Sequence, residues 1–391
     1  EALAARGKLV YVTGSSAAKP FLQQVAQQIA GQAIFIVYIP TGSCVGVDAA
    51  LHRTQIRTGP PPLPATAATY WDSASSSGKT CQLSTTGIVT DIGISDVFAQ
   101  TCPGFELASL EALQVEDAHG PIQTMAFVVP ATSHHSQISA QAAYLIFGFG
   151  ENGEILDESA SQPIWNNEEF LFVRTPSSGT QAMLAAAIGV PSSKWQGKTH
   201  ATSDDVAASL QSALNNQTTS DQSLGILAAD YIDSRNLRAQ LRMVAYQDTN
   251  QVCAYYPDSS ATSRDKRNVR DGHYALWSPL HLLYRVDGTG RPENPSNRQE
   301  ILDILGYLSG SRALPNGVRL MDIYAQSGLV PECAMHVSRS KDGGNLQPFA
   351  PSSPCSCLFD QATTGETTCR TCKVQGDCND NQVCSLGFCE S

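Results

Sequence analysis

Residues 172–180 read FVRTPSSGT and run directly into the helix-forming stretch QAMLAAA. An apolar run ends here, a turn follows, and a helix begins. Ser178 or Thr180 is a candidate N-cap, and Gly179 lets the backbone approach a ligand closely. The amides of a helix start, two hydroxyls and the guanidinium of Arg174 together suit a tetrahedral oxyanion. An ordinary strand–turn–helix with a capping hydroxyl explains the same residues, so the interpretation depends on the rest of the chain.

The same order of strand, Gly/Ser turn and helix occurs twice near the N-terminus. Residues 8–12 lead through the turn TGSSAAKP into a helix over residues 21–30, and residues 34–39 lead into a turn and helix over residues 41–51. A third apolar strand, residues 91–96, ends in Ser-Asp. Alternating strands and helices predict an α/β fold with a mostly parallel sheet. In such sheets ligands lie beyond the carboxyl ends of the strands, where these turns cluster.

Weaker signals extend this pattern to about residue 330. Further strands are predicted at residues 123–130, 223–227 and 275–284, and further helices at residues 139–148, 204–214, 298–310 and 318–328. Residues 57–80 are rich in Pro, Ser, Thr and Ala and predict a surface excursion, whereas residues 150–168 and 247–272 predict polar connections.

Composition limits the classes of function. The chain has 391 residues, of which 42% are hydrophobic, so it can build two or three domain-sized cores. The formal net charge is -11 and no basic block stands out, which argues against a nucleic-acid partner. No apolar run approaches the roughly 20 residues that a membrane-spanning helix needs.

Twelve cysteines indicate an oxidising compartment. Eight of them follow residue 330: Cys333, Cys355, Cys357, Cys369, Cys372, Cys378, Cys384 and Cys389. We therefore expect an exported protein, periplasmic or at the cell surface, whose mature form lacks its signal peptide. Spacing does not assign partners to the other four, Cys44, Cys81, Cys102 and Cys253.

The chain changes character after about residue 331. Helical periodicity stops, and Ser, Pro, Gly, Asp and Cys dominate. A segment with so little apolar content predicts a small unit held by disulfides. The C-x2-C pair of Cys369 and Cys372 is compatible with zinc, but it lacks a partner pair, so disulfides are favoured.

Four segments together carry a family resemblance. They are the Gly/Ser turn of residues 14–17, the turn of residues 41–43, the Ser-Asp strand end of residues 92–96 and the Arg-x-x-x-Ser-Gly-Thr turn of residues 174–180. In this order they resemble periplasmic phosphate-binding proteins of the PstS type, the solute receptors of phosphate ABC importers. The resemblance covers roughly residues 8–330.

The resemblance implies a phosphate site without metal, cofactor or catalytic residues. Its members would be Ser16, Ala17, Ser43, Asp96, Arg174, Ser178, Gly179 and Thr180. Most of these groups would donate hydrogen bonds, and Arg174 would add a charge-assisted pair. Asp96 differs because an ionised carboxylate only accepts hydrogen bonds. It would therefore favour protonated phosphate and reject sulfate, which carries no proton near neutral pH.

The resemblance also implies an architecture, a two-lobe α/β periplasmic-binding-protein fold of type II followed by a disulfide-rich tail. Lobe one would take residues 1–122 and 272–330, lobe two residues 123–271, and the tail residues 331–391. Inorganic phosphate would bind in the interlobe cleft, and ABC permease subunits would be partners. Cys44, the 57–80 insertion and the tail depart from a minimal receptor. The alternative is a structural or adhesive surface protein that reuses the fold and docks on cell-surface partners through its tail.

Two other candidate sites are weaker. His134 and His135 are adjacent and need not point to one place, so a solvated loop is favoured over a metal site. Ser178 as a hydrolase nucleophile lacks the Gly-x-Ser-x-Gly elbow. We therefore expect no enzymatic activity.

Overall fold

The computed structural model describes residues 3–58, 67–72, 77–153 and 164–390. Its strands are β1 (Lys8–Gly14), β2 (Ile34–Ile39), β3 (Ala68–Tyr70), β4 (Lys79–Cys81), β5 (Ile92–Ser95), β6 (Val115–Pro130), β7 (Gln137–Ser139), β8 (Leu171–Arg174), β9 (Lys198–His200), β10 (Leu224–Ala228), β11 (Leu241–Met243), β12 (Ala245–Gln247), β13 (Trp277–Arg285), β14 (Val337–Ser338), β15 (Gln347–Pro348), β16 (Val383–Ser385) and β17 (Phe388–Glu390). Its α-helices are α1 (Lys19–Ile29), α2 (Ser43–His52), α3 (Leu107–Ala112), α4 (Ala140–Phe149), α5 (Gly179–Ile188), α6 (Ser203–Ser212), α7 (Gln217–Gln222), α8 (Ala229–Ser234), α9 (Arg267–Arg270), α10 (Arg298–Ser309), α11 (Leu320–Ser327) and α12 (Ser356–Thr364). None of the helices in these ranges is long and apolar enough to cross a membrane.

The chain forms two compact units. Unit 1 contains the chain up to Pro121, residues 177–179 and residues 279–323. Unit 2 contains residues 122–176, residues 180–278 and the chain from Tyr324 onward. The sequence predicted boundaries between the lobes at residues 122/123 and 271/272. The corresponding boundaries between the two units fall at residues 121/122 and 278/279.

Unit 1 is built on the strand order β4-β3-β2-β1-β5-β13. Strand β1 pairs in parallel with β2 and with β5, as the repeated strand–turn–helix pattern predicts. Every residue of β2 is buried, which explains its unbroken apolar sequence. Helix α1 buries Phe21, Val25 and Ile29 at the predicted helical spacing, and Pro20 lies in its first turn.

Unit 2 has the strand order β6-β10-β8-β9, with β11 also paired to β6. Strand β8 is parallel to β9 and β10, whereas β10 is antiparallel to β6. In unit 1, β13 is likewise antiparallel to β5, and β3 to both β2 and β4. The prediction of a mostly parallel sheet is therefore wrong, because strands that do not follow a helical crossover are free to pair antiparallel.

Two local expectations are corrected. Inside the predicted surface excursion, residues 68–70 form β3, and Ala68 and Trp71 are buried. Three-residue strands are too short to show an alternating pattern, and residues 59–66 and 73–76 of that stretch lie outside the described residues. In the same way, residues 154–163 of the predicted polar connection lie outside the described part of the chain.

The tail is not free of helix, because α12 buries Cys357 and Phe359.

The cysteine-rich tail is held by disulfides, as predicted. They join Cys333 to Cys355, Cys357 to Cys369, Cys372 to Cys384, and Cys378 to Cys389. The zinc interpretation is wrong because Cys369 and Cys372 are both oxidised. In unit 1 a fifth disulfide joins Cys44 to Cys102, and Cys81 and Cys253 are free thiols.

Candidate functional site

The site in unit 1 depends on a close approach of helix α2 to the sheet. A Cβ at Gly46 would lie 2.7 Å from the Ile94 carbonyl oxygen, 2.8 Å from Gly14 Cα and 3.0 Å from the Thr13 carbonyl oxygen. Only glycine allows the helix to rest on β1 and β5 at this distance. As a result, the first residue of α2, Ser43, comes to the carboxyl end of β5.

Asp96 is the centre of this site. It follows β5 directly and is almost completely buried. The Ser15 hydroxyl donates to Asp96 Oδ2 over 3.0 Å, and the Ser43 hydroxyl donates to Asp96 Oδ1. The Tyr38 hydroxyl donates to the Ser15 carbonyl, and burial, followed by the charge of Asp96, raises the pKa of Tyr38 well above its usual value. Tyr38 therefore stays neutral and holds the β1 turn against the carboxylate.

The Ser-Ser-Gly-Thr turn contacts this carboxylate through Gly179. A Cβ at Gly179 would overlap Asp96 Oδ1 and would lie 2.5 Å from Ser43 Oγ. The Cys44 amide donates to the Ser177 carbonyl over 3.3 Å, which ties the turn to the start of α2. The sequence predicted a close backbone approach to a ligand at Gly179, and the structure shows a close approach to Asp96 and Ser43.

Two helices begin beside Asp96. Helix α2 starts at Ser43 and helix α5 at Gly179, and both residues lie against the carboxylate. The partial positive charge of a helix N-terminus stabilises negative charge, both on Asp96 and on an anion bound next to it. The group of residues Ser15, Ser43, Asp96 and Gly179 is called the Asp96 cluster below.

Arg174 and Thr180 belong to unit 2. The Arg174 guanidinium is buried and donates through Nη1 to Ser203 Oγ over 2.7 Å and through Nη2 to the Ala201 carbonyl over 3.0 Å. The Arg174 amide donates to Gln181 Oε1 over 2.7 Å, which fixes the turn between β8 and α5. Burial lowers the pKa of nearby His200, and the charges of Lys198 and Arg174 lower it further.

The predicted site residues are thus found at two places. Ser43, Asp96 and Gly179 meet in unit 1, where Ser16 and Ala17 follow Ser15 and where Ser178 is buried next to Gly179. Arg174 and buried Thr180 lie in unit 2. Sequence reasoning missed Ser15, Tyr38 and Gln181. The Ser-Ser pair of the first turn predicted that a serine hydroxyl lies at the site. The sequence could not show whether that hydroxyl belongs to Ser15 or to Ser16.

Two other features lie apart from the Asp96 cluster. His134 is exposed and pairs with Asp221 over 3.1 Å, while the His135 ring packs edge-on against Trp165. A cavity of about 290 Å³ in unit 1 is lined by residues that include Arg53, Asp91 and Arg285. It contains none of the eight predicted residues.

Comparison with known proteins supports the fold. No protein-family model matches the chain, and no curated protein matches its sequence significantly. It is similar to the solved structure of a phosphate ABC transporter substrate-binding protein with bound phosphate from Clostridium perfringens, at a TM-score of 0.53 and 14% identity over 83% of this chain and 99% of the other. It is also similar to a DING protein, at a TM-score of 0.50 and 13% identity over 82% of this chain and 90% of the other. The chain therefore has the predicted periplasmic-binding-protein fold, and at this identity the likeness extends to the fold alone.

Proposed function

We propose that this protein binds inorganic phosphate at the Asp96 cluster. The observation that carries the proposal is the position of the buried Asp96 carboxylate. It accepts hydrogen bonds from the hydroxyls of Ser15 and Ser43 and lies next to the N-termini of helices α2 and α5. The helix starts favour an anion, and the carboxylate requires that the anion bring a proton. Phosphate near neutral pH carries such a proton, whereas sulfate does not. A protonated tetrahedral oxyanion is therefore the ligand that fits both features.

We assign the remaining predicted residues to the same ligand as donors. Ser16, Ala17, Ser43, Ser178, Gly179 and Thr180 would supply hydroxyl and amide hydrogens, and Arg174 a charged pair. Arginine is suited to this role because its planar guanidinium matches two phosphate oxygens at once.

The proposed role is that of an extracytoplasmic solute receptor rather than an enzyme. The neighbours in the structural comparison include a substrate-binding protein of a phosphate ABC transporter, which supports a permease as partner. Five disulfides support an oxidising compartment. The four disulfides of the tail also favour a second candidate, a surface protein that keeps the fold as a scaffold and docks through its tail.

Calorimetry of the full chain at neutral pH tests the proposal. Phosphate, arsenate and sulfate are titrated separately into protein freed of phosphate by partial unfolding and refolding with its disulfides intact. We expect submicromolar binding of phosphate, similar binding of arsenate because it is also protonated, and much weaker binding of sulfate. A folded protein that binds none of the three would contradict the receptor function and favour the scaffold.

A further inference from the structure

The structure assigns a second site to unit 1, formed by Asp117, His119 and His281, and we propose that it binds a zinc ion. Asp117 and His119 are two residues apart on β6, so their side chains share one face of the strand. His281 lies on β13, 164 residues from Asp117, and its Nδ1 is 2.7 Å from Asp117 Oδ2. His119 Nε2 is 4.0 Å from the same oxygen. Each of the three residues places one ligand atom within 4.8 Å of the others.

The cluster lacks partners that a closed hydrogen-bond network would have. Asp117 Oδ1 and His281 Nε2 are both buried with no hydrogen-bond partner among the described residues. Among the described residues, Asp117 lies within ion-pair distance of His119 and His281 and of no lysine or arginine. Buried polar atoms without partners are costly and often mark an ion or water. A cation bound to Asp117 would offset the negative charge of this partly buried carboxylate.

The donor set narrows the choice of metal. Two imidazoles and a carboxylate suit Zn²⁺ and other transition-metal ions, whereas Ca²⁺ and Mg²⁺ prefer oxygen ligands. Bond lengths of about 2.0–2.2 Å to nitrogen and oxygen place tetrahedral ligands roughly 3.3 Å apart. The 2.7 Å between His281 Nδ1 and Asp117 Oδ2 is a hydrogen bond, so Zn²⁺ bound to these two atoms would replace the shared proton, which leaves to solvent. The 4.0 Å between His119 Nε2 and Asp117 Oδ2 would shorten by rotation of the side chains.

Exposure leaves a route to solvent. The side chain of His281 is 0% exposed, that of Asp117 19% and that of His119 37%. The Phe98 ring packs edge-on against the His281 ring, with centroids 4.4 Å apart. Water can therefore take the fourth position from the His119 side. The zinc site contains no residue of the Asp96 cluster, although His281 pairs with Ser95, which precedes Asp96.

Zinc titration into the full chain tests this site. The protein carries Cys81→Ser and Cys253→Ser, so that no free thiol competes, and is first dialysed against a chelator without reductant or phosphate. We expect one Zn²⁺ per chain with micromolar or tighter affinity. His119→Ala, which alters a partly exposed side chain, should weaken zinc binding at least about tenfold.

The matched control is His52→Ala. His52 also pairs with a carboxylate in unit 1, Asp48 at 2.9 Å, but no third histidine, cysteine or carboxylate among the described residues completes a metal site with this pair. This variant should bind zinc like its parent. Absence of zinc binding in the parent, or equal affinity in His119→Ala, would overturn the proposal. Neither result depends on whether the Asp96 cluster binds phosphate.

Discussion

Gly179 shows why a single residue type is required in the Ser-Ser-Gly-Thr turn. Its backbone lies directly against the Asp96 carboxylate and the Ser43 hydroxyl. The sequence predicted that glycine was needed for close approach, and it could not predict that the neighbour is a buried carboxylate 83 positions earlier in the chain. That contact depends on the packing of α2 on β5, which local sequence does not encode.

Gly179→Ala should therefore displace the turn. The added methyl group would overlap Asp96 Oδ1, and overpacking of this kind costs about 1–3 kcal/mol in the free energy of unfolding. We expect phosphate affinity to fall at least about tenfold as the amides of the turn move away. Denaturant unfolding and calorimetry measure both effects.

Gly31→Ala is the control, because a Cβ there has no heavy atom within 4 Å. This variant should keep the stability and phosphate affinity of the parent. Parent-like phosphate affinity in Gly179→Ala would remove the turn from the site.

Strand β8 and helix α6 show how a secondary structure element can orient a charged group. Arg174 ends β8, and its guanidinium is held by Ser203, the first residue of α6, and by the Ala201 carbonyl. These bonds fit two roles, a binding arginine held in position or a structural tie between the two elements. The two roles predict different results for substitutions at Arg174 and Ser203.

Arg174→Ala should weaken phosphate binding by roughly 30- to 5,000-fold if Arg174 contacts the ligand, since loss of a buried charged partner costs about 2–5 kcal/mol. Ser203→Ala removes one bond to the guanidinium and leaves its charge, so phosphate affinity should stay within about threefold of the parent. Calorimetry on both variants separates the roles. If both weaken phosphate binding equally while folding normally, Arg174 acts as a structural tie.

The Cys44–Cys102 disulfide joins helix α2 to the segment that follows Asp96. It closes a loop with a sequence separation of 58 residues, for which chain entropy gives about 4 kcal/mol of stabilisation. The double variant Cys44→Ala/Cys102→Ala should lose a large part of this free energy of unfolding, measured by denaturant titration. Loss of phosphate affinity at low denaturant would further show that the disulfide holds Ser43 in place. Unchanged stability would contradict a stabilising role for this disulfide.

For the protein as a whole, the sequence predicted the α/β fold, the order of its early strands and helices, and the disulfide character of the tail. These depend on local patterns: apolar runs, Gly/Ser turns and cysteine density. The direction of β13 and the short strand β3 were not predictable, because pairing direction and three-residue strands leave little local signal. The cluster of Asp117 and His281 was missed for a related reason. Its members are far apart in sequence, and only strand pairing brings them together.

The most direct test of the central claim is the preference for phosphate over sulfate in wild type and in Asp96→Asn. An asparagine can donate as well as accept, so the penalty against an unprotonated oxygen disappears. A buried unpaired acceptor costs about 1–3 kcal/mol, and more when charged. The ratio of phosphate affinity to sulfate affinity should therefore be at least about tenfold lower in Asp96→Asn than in wild type. Asp48→Asn, which changes a partly exposed carboxylate of α2, should keep the wild-type preference. An unchanged preference in a well-folded Asp96→Asn protein would contradict the assignment of phosphate to the Asp96 cluster.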